Sequence, residues 1–193
     1  EGELDQAVAA VARFLKVLAP CTVPQFPLQD YSMVPTVEWK AGAVRLLDQS
    51  QLPGKVVFLD CRDYLTVARA IKELVVRGAP AIGVTAAMGV ALGAQSIKAV
   101  SYDEFMNAML EICDCLAATR PTAVNLFWAI ERMKRKLSEL RERPVSDIKR
   151  LLVEESQRIL DEDIALCKAM GQHGAKLIAS GQTVLTHCNA GAL

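Results

Sequence analysis

The sequence predicts a mainly α-helical amino-terminal domain with a small antiparallel β ribbon, followed by the first strand of a second, α/β domain. Three observations support this fold class. Three short β-like segments lie between residues 36 and 60, helical periodicity dominates the chain after them, and one more strand-like segment lies near its end. We therefore place the helical domain at residues 1–180 and the start of the second domain at 181–193.

The first third of the chain predicts a short helix, a proline-rich arm and the β ribbon. The helix is expected at 5–19, and the prolines from Pro20 to Pro35 cannot continue it because each fixes φ and removes a hydrogen-bond donor. The β segments are 36–40, 43–48 and 55–60, with turns at Ala41-Gly42 and Pro53-Gly54 between them. Three such segments in series are typical of a small antiparallel ribbon.

From Asp63 the apolar residues follow a helical repeat, and Asp63 itself is placed to cap the helix that ends at Arg77-Gly78. Further helices are predicted at 80–97, 102–118, 122–142 and 146–172. In the last of them five apolar residues share one face: Ile148, Leu152, Ile159, Leu166 and Met170. The uncharged run 78–94 is shorter than the roughly 20 apolar residues of a membrane-spanning helix and is rich in glycine, which favours a buried helix.

Near its end the chain enters a new strand, QTVLTH at 182–187, and stops where a strand-to-helix turn should begin. An α/β sheet needs several such strands with crossover connections. We expect residues 181–193 to be the start of a truncated Rossmann-like α/β domain.

Composition excludes several classes of function. The 22 Lys and Arg residues balance the 22 Asp and Glu residues, so no basic field attracts nucleic acid or an anionic membrane, and a small-molecule or protein partner is favoured. The six cysteines show no C-x-x-C spacing, which argues against a zinc site or a secreted disulfide framework. The acidic start is unlike a signal peptide, so we expect a cytoplasmic protein with reduced thiols.

The segment Arg77-Gly78-Ala79-Pro80 places an arginine at a helix end, then a flexible glycine and a proline suited to the first turn of the next helix. Such a corner can direct a guanidinium and free N–H groups at one anion, and phosphate is the anion that helix starts favour. The alternative is a plain helix–helix corner with a solvated arginine. The local pattern alone favours that alternative.

A second corner, Thr119-Arg120-Pro121-Thr122, repeats the arrangement, with Pro121 expected at the first helical position and Asn125 within one turn. Two such corners could clamp one ligand. A proline-started helix with an exposed arginine explains either corner taken alone.

Cys188 lies within Thr186-His187-Cys188-Asn189, at the carboxyl end of the predicted strand, where open α/β sheets bind their ligands. Its thiol could transfer protons if a helix start or a cation lowered its pKa. The alternatives are that Cys188 is a small buried residue and that His187 is an ordinary packed histidine. The runs Asp161-Glu162-Asp163 and Lys134-Arg135-Lys136 are interpreted as solvated helix faces, and Trp39, Phe127 and Trp128 as core residues.

Taken in order, three segments resemble the amino-terminal signatures of the methylthioribose-1-phosphate isomerases: 77–83 (RGAPAIG), 120–126 (RPTAVNL) and 186–193 (THCNAGAL). The resemblance extends from about Val37 to Leu193. It implies that Arg77, Gly78 and Ala79 bind substrate, that Arg120 adds a second cationic contact, and that Cys188 acts in catalysis. The family's partner aspartate would follow in the second domain, so the chain by itself is expected to be inactive.

The resemblance also implies a reaction. These enzymes are aldose–ketose isomerases that convert 5-methylthioribose 1-phosphate to 5-methylthioribulose 1-phosphate in methionine salvage. We accordingly expect a sugar phosphate as ligand, no metal or organic cofactor, and a cytoplasmic homodimer of the full-length protein.

Two alternatives stay open, because the fold is shared with ribose-1,5-bisphosphate isomerases and with regulatory subunits of the exchange factor for translation initiation factor two. One is an isomerase of another pentose or deoxypentose phosphate. The other is a non-catalytic regulatory subunit, which the intact arginine corners and the Cys188-Asn189-Ala190-Gly191 turn disfavour.

Overall fold

The structure is a computed structural model and describes residues 35–179 and 181–182. Three antiparallel strands come first in this part of the chain. The strands are β1 (Val37–Lys40), β2 (Ala43–Leu47) and β3 (Phe58–Cys61), paired in that order. The predicted ribbon is therefore confirmed. The predicted helix at 5–19, the strand beyond Gln182 and Cys188 lie outside the described residues.

The register of the sheet follows from its turns. Ala41 and Gly42 both have positive φ, 48° and 74°, as the tightest hairpin turns require, and they set Val37 opposite Leu46. The third segment was predicted from residue 55, but β3 begins at Phe58. Residues 55–57 close the preceding loop instead, where the Asp48 N–H donates to the Val57 carbonyl at 2.9 Å.

Between the sheet and Ala179, the described chain forms five α-helices that confirm the mainly helical class: α1 (Tyr64–Lys72), α2 (Ala79–Ser96), α3 (Tyr102–Ala117), α4 (Val124–Glu139) and α5 (Val145–Gly174). Asp63 caps α1 as predicted, because its carboxylate accepts the Thr66 N–H at 2.7 Å. The helix predicted at 122–142 is shorter than expected. Residues 120–123 form a turn in which the Ala123 N–H donates to the Arg120 carbonyl, so Pro121 lies before the helix and not at its first position.

Helix α2 is the centre of the fold. Its residues from Ile82 to Ala94 are all buried, which confirms the predicted buried helix. By length and composition α2 could also cross a membrane, but within the described residues 72% of it is buried by the rest of the protein, as in the core helix of a globular fold. Gly89 and Gly93 let α1 and α3 approach closely, since a Cβ at either position would lie within 2.9 Å of Val67 or Ile112.

Helix α5 extends beyond the core. Ile148, Leu152 and Ile159 are buried as its periodicity predicts. Leu166 and Met170 continue the same stripe but are 59% and 58% exposed, so only the first three residues of the predicted apolar face are buried. None of the described elements covers the distal part of this stripe.

Candidate functional site

The first arginine corner joins α1 to α2. Leu74 has φ of 62°, a left-handed conformation that ends the turn after α1, and the Arg77 Nε–H donates to the Leu74 carbonyl at 3.2 Å. Arg77 is exposed and Gly78 is the buried amino-terminal cap of α2. Gly78 has φ of −58° and ψ of 134°, so the backbone there does not require glycine, contrary to the flexible role expected of it.

Helix α2 begins without a side-chain cap. Ala79 is its first residue and Pro80 its second, both exposed, and the Gly78 carbonyl accepts the Ile82 N–H at 2.8 Å. The proline was predicted in this first turn, and the structure confirms it. Uncapped N–H groups and the positive end of the helix dipole remain available to an anion at this point.

The second corner precedes α4. Arg120 is half-buried, and within residues 35–179 its guanidinium has neither a hydrogen bond nor an ion pair. Helix α4 also starts without a side-chain cap, at Ala123. An unpaired guanidinium beside an uncapped helix start is a suitable binding partner for an anion.

Helices α2 and α4 meet close to their starts. A Cβ at Gly83 would lie 2.9 Å from the Asn125 carbonyl oxygen and 3.4 Å from the Asn125 Cβ, so the two backbones are in direct contact. Gly83 is the fifth residue of α2 and Asn125 the second of α4. The contact thus joins Asn125, in the second predicted corner, to α2 about one helical turn after the first corner, 77–79.

A groove of about 400 Å³ begins at this contact. Helix α2 contributes Pro80, Gly83 and Val84, and α4 contributes Val124, Asn125 and Trp128. The floor and far wall come from α5, through Ile159, Glu162, Asp163 and Leu166. Its lining is largely apolar, with two carboxylates at one side.

Sequence reasoning missed most of this groove. Trp128 was expected in the core but is 49% exposed, and Phe127 beside it is 39% exposed. Asp161 and Glu162 are exposed, as expected of a solvated face, and Asp163 is half-buried, but the run did not reveal that Glu162 and Asp163 line the groove. A helix wheel of α5 alone cannot reveal this, because the groove forms only when α2 and α4 pack beside it.

An ion network fixes one wall of the groove. The Arg132 Nε–H donates to the Glu155 carboxylate at 2.7 Å, and both remaining nitrogens donate to Glu162. Glu155 is only 6% exposed and accepts a further bond from Arg158. The Arg132 guanidinium also lies over the Trp128 ring, 5.5 Å from its centre, which is within the range of a cation–π contact.

The two groove carboxylates differ in their surroundings. Hydrogen bonding from Arg132 lowers the pKa of Glu162 below its ordinary value. Burial raises the pKa of Asp163, for which the described residues offer no hydrogen bond or ion pair. Asp163 is therefore the uncompensated carboxylate of the groove.

The described cysteines and acidic residues add no second site. Cys61 and Cys113 are buried, and burial raises the pKa of each thiol to about 11, so neither is a reactive nucleophile. Across residues 35–179, no group of three or more His, Cys, Asp or Glu side chains is placed to hold a metal ion. The roles expected for Arg77, Gly78, Ala79, Arg120 and Cys188 stay predictions.

Comparison with known proteins connects this geometry to a family. Residues 75–193, more than half of the chain, match the sequence model of the Initiation factor 2 subunit family. A methylthioribose-1-phosphate isomerase of Geobacter sulfurreducens is 56% identical over 158 residues, and one of Syntrophotalea carbinolica is 56% identical over 157. These matches cover 82% and 81% of this chain and 46% of each relative.

Solved structures resemble the fold as well. The crystal structure of 5-methylthioribose 1-phosphate isomerase from Pyrococcus horikoshii OT3 matches with a TM-score of 0.79 and 42% identity, over 88% of this chain and 48% of that one. The structure of translation initiation factor eIF-2B, subunit delta, from A. fulgidus matches with a TM-score of 0.73 and 40% identity, over 82% and 46%. The chain spans about half the length of the relatives it matches.

Proposed function

The chain belongs to the Initiation factor 2 subunit family, and we propose that it is the amino-terminal half of an aldose–ketose isomerase acting on 5-methylthioribose 1-phosphate. The product is 5-methylthioribulose 1-phosphate. Two relatives at 56% identity carry the name of this activity over the matched region, which supports the assignment. The proposal concerns the full-length protein.

The contact between Gly83 and Asn125 carries the proposal. It joins the beginnings of the two helices that follow the arginine corners, and this supports a single phosphate held by both. Arg77 is exposed and gives up only its hydrogen bond to the Leu74 carbonyl on turning toward a ligand, and half-buried Arg120 has no ionic partner among residues 35–179. The uncapped N–H groups of Ala79 and Ala81 add donors without adding charge.

The reaction explains the need for such a cradle. Phosphate on the anomeric oxygen prevents ordinary ring opening, so an acid must protonate the ring oxygen as the bond from it to carbon 1 breaks. Hydrogen then passes from carbon 2 to carbon 1, as hydride or as a proton through an enediol, and the carbon 2 hydroxyl loses its proton to become the ketone. The sum is an isomerisation without net oxidation, so it needs no external oxidant or reductant.

Acid and base must be separate groups in this scheme. We assign one role to Cys188 and the other to an aspartate of the second domain, as the family resemblance implies. An apolar pocket would hold such a carboxyl protonated at neutral pH. Arg77, Gly78, Ala79 and Arg120 would bind the phosphate and orient carbon 1 toward these groups.

The remaining expectations form part of the same proposal. We propose that the full-length protein works in the cytoplasm as a homodimer, in methionine salvage, without metal or organic cofactor. The balanced charge of the chain is consistent with a small anionic ligand bound at a local cradle.

A regulatory subunit of the translation exchange factor is the second candidate, because an eIF-2B delta structure matches this fold with a TM-score of 0.73. An isomerase of another pentose phosphate is the third. Both share the fold, so activity must discriminate among the three. The intact arginine corners and Cys188 favour an enzyme.

The decisive experiment follows the anomeric proton of each sugar phosphate by NMR with the full-length protein. We expect conversion of 5-methylthioribose 1-phosphate, and Cys188→Ala should lower turnover by about 10² to 10⁴-fold without lowering the melting temperature. Cys167→Ala, which removes an exposed thiol on α5, is the control. Conversion of ribose 1,5-bisphosphate alone would support the third candidate, and no conversion of either sugar the second.

A further inference from the structure

The groove between α2, α4 and α5 has a composition suited to one end of the proposed substrate. We propose that it receives the methylthio group of the sugar, with Trp128 as the aromatic wall that recognises sulfur and Asp163 as the group that excludes a second phosphate. This inference rests on the proposed function and deepens it. It assigns substrate specificity to residues outside the two arginine corners.

Position is the first argument. The groove starts at Pro80 and Gly83, directly after the corner that would hold the phosphate. Ala79 to Gly83 is four residues of helix, which span about 6 Å at 1.5 Å per residue. That length is comparable to a pentose ring, so a sugar held by its 1-phosphate at Ala79 would extend its carbon 5 substituent into the groove.

The apolar walls provide the second argument. Trp128 is 49% exposed and faces the groove together with Val124 and Leu166, which are 77% and 59% exposed. A thioether is soft and polarisable and makes favourable contacts with aromatic rings. An exposed tryptophan flanked by two exposed aliphatic side chains is therefore a suitable receptor for a methylthio group.

Trp128 is also held in place. Arg132 lies over its ring at 5.5 Å, and Arg132 is in turn bound at 2.7 Å by Glu155, whose side chain is 7% exposed. A recognition wall that is fixed before the ligand arrives loses little side-chain entropy on binding. The network thus positions Trp128 from the side of Arg132 and Glu155, neither of which lines the groove.

Charge provides the third argument. Arg132 neutralises Glu162, whereas Asp163 has no cationic partner among the described residues. A carboxylate in a largely apolar groove repels a phosphate at carbon 5 but is compatible with a neutral thioether. Asp163 therefore distinguishes 5-methylthioribose 1-phosphate from ribose 1,5-bisphosphate.

The test compares three substrates on the full-length protein: 5-methylthioribose 1-phosphate, 5-deoxyribose 1-phosphate, which lacks the methylthio group, and ribose 1,5-bisphosphate. Trp128→Ala should lower kcat/KM for the first by about tenfold or more and leave that for the second within about threefold. Phe127→Ala is the matched control, since Phe127 is 39% exposed on the same helix and does not line the groove. Melting temperatures of both variants identify any loss of fold.

Asp163→Asn tests the charge argument separately. It should raise kcat/KM for ribose 1,5-bisphosphate relative to the methylthio substrate by about tenfold. Equal losses on all three substrates with Trp128→Ala would overturn the inference, because Trp128 would then act on a feature that all three sugars share. No change in either variant would also overturn it, whereas a wild-type protein inactive on all three sugars would refute the proposed function itself.

Discussion

Gly83 lies directly against the carbonyl group of Asn125: a Cβ at residue 83 would be 2.9 Å from that oxygen. Real Cβ atoms do not approach a carbonyl oxygen so closely, so glycine sets the spacing between the starts of α2 and α4. The two arginine corners and the groove all depend on this spacing. Gly83 thus contributes both to helix packing and to the candidate site.

Gly83→Ala should destabilise the protein by about 1–3 kcal/mol, the scale of overpacking a tight contact, although alanine in a helix gains about 1 kcal/mol over glycine. The obstructing atom belongs to the backbone, so the helices must separate rather than a side chain turn aside. Urea denaturation measures the change. Gly171→Ala on α5 is the matched control, since nothing lies within 4 Å of its Cβ and only the helical gain applies.

If Gly83→Ala proves as stable as the control, the two helix starts do not need this contact. Binding gives an independent reading of the same variant. Because the separation also moves the corners apart, we expect weaker affinity for the substrate phosphate, measured by calorimetry with inorganic phosphate as the probe.

Arg77→Ala and Arg120→Ala should each weaken binding of the sugar phosphate by about 1.5–3 kcal/mol, the range for charge-assisted hydrogen bonds. Arg120 has no competing partner among the described residues, whereas Arg77 must release the Leu74 carbonyl, 3.2 Å away. Titration calorimetry on the full-length protein measures both. Arg143→Ala is the control, because Arg143 is exposed near the start of α5, far along that helix from the groove.

Unchanged affinity in both variants would contradict the clamp. A loss in only one of them would restrict the phosphate to that corner. Lysine substitutions distinguish charge from geometry, since lysine keeps the charge but lacks the planar fork of the guanidinium.

The sequence predicted the local parts of this site well because helix caps and prolines act over only a few residues. Pro80 and the Asp63 cap act within one helical turn, and their positions follow from backbone chemistry alone. Pro121 was wrongly assigned to the first helical position, because the dipeptide Arg120-Pro121 suits a turn as well as a helix start. In the folded chain the Ala123 N–H donates to the Arg120 carbonyl, and this hydrogen bond closes a turn.

The parts that failed depend on long-range packing. Trp128 looked like a core residue but is 49% exposed, with Arg132 over its ring. The charge run around Glu162 indicated its exposure, but it could not reveal that Arg132 binds Glu162 from another helix. The exposed stripe at Leu166 and Met170 likewise follows the predicted periodicity but has no described neighbour to cover it. Periodicity gives the direction of a side chain, and only the tertiary fold gives what lies there.

Arg132→Met should destabilise the protein by about 3 kcal/mol, at the lower end of the range for breaking a buried pair. Its loss leaves Glu155, 6% exposed, with Arg158 as its remaining partner at 3.2 Å. Chemical denaturation measures the effect. Arg150→Ala removes an exposed pair with Glu154 and should change stability by less than about 0.5 kcal/mol, and a similar value for Arg132→Met would show that the network is not stabilising.

Asp63 makes the stability of α1 dependent on pH. Hydrogen bonds from the backbone N–H of Thr66, at 2.7 Å, and from its hydroxyl lower the pKa of Asp63 below the ordinary 3.8. The folded state therefore favours the carboxylate, so the cap is fully effective above about pH 3.8 and is lost as the pH falls through the lowered pKa.

Asp63→Ala should cost about 1 kcal/mol at neutral pH and progressively less below pH 4, as the wild-type cap becomes protonated. Asp63→Asn keeps a capping side chain without the titration, so the stability difference between Asp63→Asn and Asp63→Ala should stay constant across the same window. Thermal unfolding between pH 2.5 and 7 measures all three proteins. A gap between wild type and Asp63→Ala that is constant with pH would contradict the assignment.

The buried thiols should resist alkylation. Cys61 and Cys113 are 0% and 1% exposed, and burial raises the pKa of each to about 11. At pH 8 a thiol with that pKa is about one part in a thousand thiolate, the reactive form, and the surrounding core also blocks the reagent. Cys167 is exposed on α5 and lacks this protection.

Iodoacetamide treatment followed by peptide mass spectrometry should therefore label Cys167 rapidly in the native protein, and Cys61 and Cys113 only after unfolding in urea. The reagent reaches Cys113 only when the packing around α2 opens, so Cys113 should be labelled faster in Gly83→Ala if that substitution loosens the helix packing. Rapid labelling of Cys113 in the native wild type would refute the packing of α3 against α2.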